Sequence, residues 1–297
     1  MPSTRDIRRR IKSVKNTAQI TKAMQMVASA KMRKAQMSAI AGRPYADLMT
    51  QVLDAVAGNT GDFFNPLMEV REVKRRAVIV VSTDKGLCGA LNTNLLREAA
   101  KLDKETTTFV TAGRKASQFI ARTRRTLAAE FTYKDNPAFV EARAISKFAQ
   151  ELFVSGKVDQ VDILFSDFVN VMTQKPELRS FLPIGDIESV RASLHGGSGG
   201  SAKTAAGAVG STTEYLFEPD AGQVFDSLLP HYLNYQVFQV LLEAKASEHS
   251  ARMVAMKSAT DNARQMIKDL TLEYNKLRQA NITRELLEIT SAAMAMG

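Results

Sequence analysis

Between Ser3 and Ala57, small and apolar side chains recur at three- and four-residue spacing: Ile7, Ile11, Val14, Ala18 and Thr21, then Ala28, Met32, Ala35 and Ala39. That period keeps one face of an α-helix apolar. The segment has only Gly42 before Gly58 and, after Pro2, only Pro44, so one long helix is predicted, with a bend or break at Gly42-Arg43-Pro44. Its stripe is poor in Leu and rich in Ala, which permits close approach of another helix. A second stripe through Ile20, Met24 and Val27 predicts that more than one face is occupied.

The period changes in the middle of the chain. Arg76 to Ser82 is a β-branched run, followed by the turn residues Asp84, Lys85 and Gly86 and a helical stretch from Leu91 to Leu102. Strands are predicted again at Thr107 to Thr111, Leu127 to Phe131, Val161 to Phe168 and Glu177 to Leu182, with helices at Lys115 to Arg122 and Pro137 to Val154. Strands alternating with helices indicate a parallel-rich sheet covered by helices, so residues 75–190 should form a compact, Rossmann-like α/β domain.

Residues 195–213, HGGSGGSAKTAAGAVGSTT, cannot pack a core and read as a flexible loop. The YLFEP motif at 215–219 reads as a last short strand, and Asp220 is placed to cap a helix that Pro230 interrupts or kinks.

From His231 to Met296 neither Pro nor Gly occurs, and Met253, Met256, Thr260, Ala263, Ile267, Leu270, Tyr274 and Leu277 keep the 3,4 spacing. At about 1.5 Å per residue such a helix reaches roughly 100 Å, and it needs a partner along its length. After Leu277 the stripe jumps by five and resumes as Ile282, Leu286, Ile289, Ala293 and Met296, a rotation of the apolar face like a coiled-coil phase shift. The predicted fold is therefore α/β, with a long antiparallel coiled coil of the terminal helices. Its parts are residues 1–57 (first helix), 75–190 (α/β domain), 195–213 (loop) and 214–297 (foot segment and second helix).

Composition bounds the function classes. With 45% hydrophobic residues in 297, the chain can bury a sizeable core. Its one cysteine, Cys88, excludes an internal disulfide framework, and its longest wholly apolar run, near Ala77 to Val81, is too short to span a bilayer. The net charge of +9 is localised: residues 1–43 carry eleven Lys and Arg against Asp6 alone, so the other 254 residues sum to −1. A basic segment of this kind fits an acidic partner, whether nucleic acid, anionic lipid or protein. No aromatic precedes Tyr45 to stack on bases, and no nucleic-acid module surrounds the segment, so acidic protein or solvent is favoured over DNA or RNA.

Catalytic parts are missing. There is no GxxxxGK[ST] and no GxGxxG after a strand; His195, His231 and His249 lack metal-ligand spacing. Ser82 to Lys85 forms an SxxK without the SDN or KTG of penicillin-recognising enzymes. The same loop could hold a phosphate on backbone amides, although turn residues here more often just turn the chain.

Three blocks nevertheless carry a specific resemblance: IRRRIKSVKNTAQITKAMQMVASAKMRKAQ at 7–36, STDKGLCGALN at 82–92, and residues 242–289, which contain LEAKASEHSARMVAMKSATDNA and YNKLRQANITRELLEI. In type and order they resemble the gamma subunits of F-type ATP synthases. The resemblance implies a central-stalk rotor coupling proton-driven rotation of the c ring to ATP synthesis and hydrolysis. The chain itself would be non-catalytic, with no cofactor or metal of its own, while Mg-ATP and Mg-ADP sit on partner alpha and beta subunits.

The resemblance further implies that Arg278, Gln279 and Thr283 meet an acidic loop of the beta subunit, with Met24 opposite them. It implies that Ile289, Ala293 and Met296 form a bearing tip, and that Tyr215, Phe217 and Glu218 form a foot on the c ring near the epsilon subunit. An inhibitor subunit is a further partner it allows; nucleic acid and a membrane span are not expected. Ser291-Ala292-Ala293 departs from the family's usual Gly-Ala, and the glycine-rich tract is longer than usual. The first block begins near Met1, so the expected location is peripheral, on the cytoplasmic face of a bacterial inner membrane.

Overall fold

A computed structural model describes residues 3–42, 44–45, 48–49, 52, 65–184 and 220–296 of the chain, and clusters the chain into two compact units. One comprises residues 1–29 and 252–297, the other residues 30–251. The 195–213 tract and the strand expected at 215–219 lie outside the described residues.

Helix α1 (Thr4–Ala41) begins at a capping box. The Asp6 N–H donates to Ser3 Oγ at 3.2 Å, and the Ser3 N–H and hydroxyl donate to the Asp6 carboxylate. The helix ends at the predicted break, and beyond it Pro44, Tyr45, Leu48, Met49 and Val52 are again helical. The Tyr235 hydroxyl donates to the Gly42 carbonyl at 2.7 Å, and a Cβ at Gly42 would lie 2.9 Å from that same hydroxyl, so the ring closes on the chain where a side chain would not fit. Helix α5 (Ala221–Met296) starts behind Asp220 as expected, but it runs without a break through Pro230 into the stretch from His231. Asp220 caps it, accepting the Gly222 N–H at 3.3 Å. The proline removes one backbone hydrogen bond, and the burial of Phe225, Leu229, Tyr232 and Leu233 around it offsets the loss.

In the first unit the predicted seam is the one that packs. Ile7, Thr21 and Ala28 on α1 and Met256, Thr260, Ala263 and Leu270 on α5 are buried. Arg8 Nη2 donates to the Tyr274 hydroxyl at 3.2 Å, and the Thr21 and Thr260 hydroxyls meet at 2.7 Å, so residue numbers fall on one helix as they rise on the other. The pair is an antiparallel coil with one polar layer in an alanine-rich seam. Of the second stripe, Met24 is half-buried while Ile20 and Val27 are more than half exposed.

The two threonines give a modest, testable effect. Each hydroxyl keeps a backbone acceptor, Ala18 O for Thr21 and Met256 O for Thr260. Thr21→Val or Thr260→Val alone is expected to cost about 1 kcal/mol, and the double variant less than the sum, because neither hydroxyl is then left facing a methyl. A double-mutant cycle by urea denaturation reads this; strict additivity would mean that the contact contributes nothing.

The second unit is built on a five-stranded sheet, β1 (Arg76–Val81), β2 (Thr107–Ala112), β3 (Leu127–Phe131), β4 (Gln160–Phe168) and β5 (Gln174–Leu182), in the order β3-β2-β1-β4-β5. The first four are parallel and β5 runs antiparallel at the edge, which makes the sheet mixed. Helices α2 (Leu91–Lys101) and α3 (Arg114–Arg122) cover one face, where Val78, Val80, Phe109 and Leu164 meet Leu95, Ala99, Ala116 and Ile120. Helix α4 (Phe139–Val154) and the first thirty residues of α5 cover the other, where Ala77, Ile79, Val110, Ile163 and Phe165 meet Ile145, Phe153, Leu229, Tyr232, Val237 and Leu241. Successive residues of a strand point to opposite faces, and both faces are covered; that is why β1 is apolar from Ala77 to Val81.

Candidate functional site

Strand β1 lies between β2 and β4, so the chain winds outward on one side of it and then on the other. In doubly wound sheets, the crevice at the carboxyl ends of such strands is where nucleotides bind. Here the crevice begins with the Ser82-Thr83-Asp84-Lys85 turn. Ser82 is buried; its hydroxyl donates to the Gly113 carbonyl at 3.2 Å and accepts the Ala116 N–H at 2.9 Å. A serine so enclosed is not presented to a substrate, and Lys85 points to solvent. The rest of the turn is held by its own polar groups. Asn92 Nδ2 donates to Thr83 Oγ1 at 2.7 Å, Thr83 Oγ1 donates to the Lys85 carbonyl at 2.7 Å, and Asp84 Oδ1 accepts the Arg114 N–H at 3.0 Å.

The crevice is filled from above by α5. Over Lys245 to Ser250 every residue is buried, although only Ala246 is apolar. Lys245 Nζ sits 2.9 Å from Glu248 Oε2, 3.7 Å from Asp135 Oδ1 and 4.5 Å above the Tyr133 ring. The Tyr133 hydroxyl donates to the Ser82 carbonyl at 3.0 Å. Ser250 Oγ donates to the Val171 carbonyl beyond β4 at 2.7 Å. Burial pushes the Tyr133 hydroxyl well above its usual range, and the Glu248, Asp84 and Asp135 charges add to this. The Asp135 carboxyl is held down chiefly by its hydrogen bond from Lys31, helped by the charge of Lys245. Helix α5 therefore occupies the place that a ligand takes in related architectures.

Two residues before Lys245, Glu243 lies buried between α5 and the β4–β5 edge. Gln239 Nε2 donates to Glu243 Oε1 at 3.5 Å, and Glu243 Oε2 and Gln239 Oε1 have no hydrogen-bond partner among the described residues. Burial raises the Glu243 pKa to about 7; Arg179 opposes this, while Asp167 and Glu177 add to it. Sequence reading passed over this group and the Lys245 cluster. Their signal was the run EAKASEH, polar on every face yet lying inside an unbroken helix.

The residues predicted to meet partners are elsewhere. Arg278, Gln279 and Thr283 are exposed, and Thr283 Oγ1 donates to its own helix at the Gln279 carbonyl, 2.9 Å away. Met24 is half-buried on the seam and does not lie opposite them. Thr21 pairs with Thr260 and Arg8 with Tyr274, so Met24 sits some twenty residues along α5 from Arg278, about 30 Å at a helical rise. Beyond Leu277 every described side chain of α5 is exposed, including Ile282, Leu286, Leu287, Ile289 and Ala293; the side chain of Met296 lies outside the described residues. Tyr215, Phe217 and Glu218 also lie outside them.

The family model for ATP synthase matches residues 3–296. The ATP synthase gamma chain of Opitutus terrae is 49% identical over 295 residues, 99% of each chain. The chain belongs to the ATP synthase gamma chain family. A second relative, the gamma chain of Methylacidiphilum infernorum, is 46% identical over the full length of both. Two solved structures share the fold at low identity. The rotor of the Euglena gracilis mitochondrial ATP synthase in one rotational state matches with TM-score 0.64, at 19% identity, over 94% of this chain and 98% of that one. A chain of the same synthase's OSCP/F1/c-ring structure matches with TM-score 0.67, at 20% identity, over 99% and 94%. As in the resemblance read from the sequence, the three gamma-chain blocks are the ones that build the structure: Lys31 from the first, Ser82 from the second and Lys245 from the third meet around Tyr133 and Asp135. Among the described residues no helix is long and apolar enough to cross a membrane.

Proposed function

We propose that the chain is the central-stalk rotor of an F-type ATP synthase, without catalysis of its own, which couples proton-driven rotation of a c ring to nucleotide chemistry on alpha and beta subunits. The observation that carries this reading is the tip of α5. A helix pair ends near Thr4 on one strand of the coil, yet the other helix continues to Met296 with Ile282, Leu286, Leu287, Ile289 and Met294 from half to more than four-fifths exposed. A lone helix with such a surface calls for an apolar sleeve supplied by other chains. The solved structures it resembles are described as rotor and F1/c-ring assemblies, which agrees with that sleeve.

A rotor acts through asymmetry. Two unlike helices present a different face to each surrounding beta subunit, and a face that favours the open or the closed form shifts that subunit's nucleotide affinity by its differential contact energy. Coupling is reciprocal, so rotation releases ATP and hydrolysis reverses rotation. Mg-ATP and Mg-ADP stay on alpha and beta; the filled crevice supports the absence of a nucleotide on this chain. Arg278, Gln279 and Thr283 would meet an acidic beta loop at one level and Met24 would make a separate contact lower on the coil. Ile289, Ala293 and Met296 would turn in the sleeve, and Tyr215, Phe217 and Glu218 would stand on the c ring beside epsilon, with an inhibitor subunit as an optional partner. The complex would lie on the cytoplasmic face of a bacterial membrane.

The test is to place an affinity tag in the 195–213 tract, isolate the chain gently from its source membranes, and record co-purifying chains and their Mg-ATPase activity. Alpha and beta chains with activity are expected; nucleic acid alone would overturn the reading. Truncation after Asn281 sharpens the result. The melting temperature of the purified chain should move by less than about 2 °C, because the removed side chains from Ile282 to Ala295 are exposed, whereas ATPase recovered with the tag should fall at least about fivefold. Equal recovery would mean that the tip is no bearing.

A further inference from the structure

The buried ammonium of Lys245 ties together three parts of the second unit that are far apart in sequence. Glu248 lies one turn on along α5, at 2.9 Å, and suffices to balance the charge. Asp135, on the loop after β3, adds a second arm at 3.7 Å. Asp135 Oδ2 in turn holds Lys31 of α1, and the Tyr133 ring under the ammonium is anchored by its hydroxyl to the end of β1. The ionic chain thus runs from α1 through the β3–α4 loop to α5, and from there to the sheet. Its inner pair is almost fully enclosed, with side chains 2% and 4% exposed, and its outer pair is about half exposed.

Stability alone does not explain a buried lysine here. Apolar residues of similar length in place of both Lys245 and Glu248 would fill the space without desolvating a charge. What the charge adds is a unique setting. If α5 turned by one residue, about 100° about its axis, or slid by one turn, the ammonium would lose Asp135 and the Tyr133 face together while still buried. Apolar packing between helices tolerates several neighbouring settings, whereas this network is satisfied in one.

We infer that Lys245 is a positioning residue that locks the rotational setting of α5 against α1 and the carboxyl end of the sheet, so that torque on the two helices reaches the α/β unit instead of being lost as helix rotation. The inference rests on the rotor reading. It assigns coupling, not assembly, as the property that depends on the charge.

The experiment uses the intact ATP synthase carrying this chain, in inside-out membrane vesicles, with ATP hydrolysis and ATP-driven proton uptake measured on the same vesicles. Lys245→Met keeps the length and removes the charge; Lys245→Arg keeps the charge. Lys245→Met is expected to hydrolyse ATP within about twofold of the unmodified complex while proton uptake per ATP falls at least about fivefold, and Lys245→Arg should recover at least about half of that ratio. A ratio unchanged in Lys245→Met would overturn the inference, because a purely structural role lowers both activities together. Should Lys245→Met fail to assemble, Asp135→Asn decides by the same ratio, since it alters a half-exposed side chain: a lowered ratio supports the lock and an unchanged one overturns it. Loss of both activities in the unmodified complex would overturn the rotor reading as well, whereas an unmodified complex that pumps beside unaltered variants overturns only the lock.

Discussion

Gly113→Ala is expected to destabilise the α/β unit by about 4 kcal/mol, from backbone strain of about 1–3 kcal/mol and overpacking of similar size. Gly113 follows β2 and opens α3 with φ of 104° and ψ of 144°, a region that residues with a Cβ rarely enter. A Cβ there would stand 2.2 Å from the Ser82 carbonyl oxygen and 2.9 Å from its carbon, which are backbone atoms and cannot rotate away. Nor can the strands part easily. The Gly113 N–H donates to the Phe131 carbonyl at 2.9 Å, the Ser82 N–H donates to the Ala112 carbonyl at 2.8 Å, and Ser82 Oγ donates to the Gly113 carbonyl. Relief of the clash would break the join of three parallel strands and move the carbonyl that anchors Tyr133. Urea unfolding followed by circular dichroism measures the loss as a lowered midpoint at constant slope. A loss below about 1 kcal/mol would show that β1 and the start of α3 separate more freely than these hydrogen bonds imply.

Glu243→Gln is expected to act in the opposite direction, with an effect that is absent near pH 4.5 and grows to its full size by about pH 7. Burial raises the Glu243 pKa from 4.5 to about 7 in the folded chain, with the nearby Asp167 and Glu177 carboxylates adding to the effect. The folded state therefore binds the proton more tightly than the unfolded state. The stabilisation linked to that proton is complete below pH 4.5 and is lost as pH rises through 7. Carried through that whole window, the linked free energy is of the order of 3 kcal/mol. Glutamine keeps the shape, stays neutral and can donate where protonated Glu243 does. Its melting temperature should match that of the parent chain near pH 4.5 and exceed it above pH 7, with most of the difference appearing between these values. Parallel pH profiles for the two chains would mean that Glu243 is solvated or paired in a way its burial does not reveal.

Much of the fold was legible along the chain because helix and strand periods are local. The seam of α1 from Ile7 to Ala39 and that of α5 from Met253 to Leu277 follow from spacing alone, and the break at Gly42 follows from a residue without a Cβ near a proline. Strand β1 was visible as a β-branched run. Where local signals erred, packing had overruled them. Pro230 reads as an interruption, yet the helix passes through it because Phe225, Leu229, Tyr232 and Leu233 are held in the core.

The candidate site divides along the same line. Spacing placed an apolar stripe at the end of α5, and residue type placed an SxxK after β1; only family resemblance suggested what the tip and Arg278 would touch. That Ser82 is enclosed by Gly113 and Ala116, that Met24 and Arg278 stand at different levels of the coil, and that β5 reverses direction at the sheet edge all depend on how distant segments pair. The same holds for Lys245, Glu248 and Glu243. Read along one helix they are ordinary solvated charges, and only when α5 closes over the strand ends do they become buried groups that must be paired or neutralised. Periodicity records which face of an element is apolar, whereas the register between elements, and with it the dielectric around each charge, exists only once those faces have met.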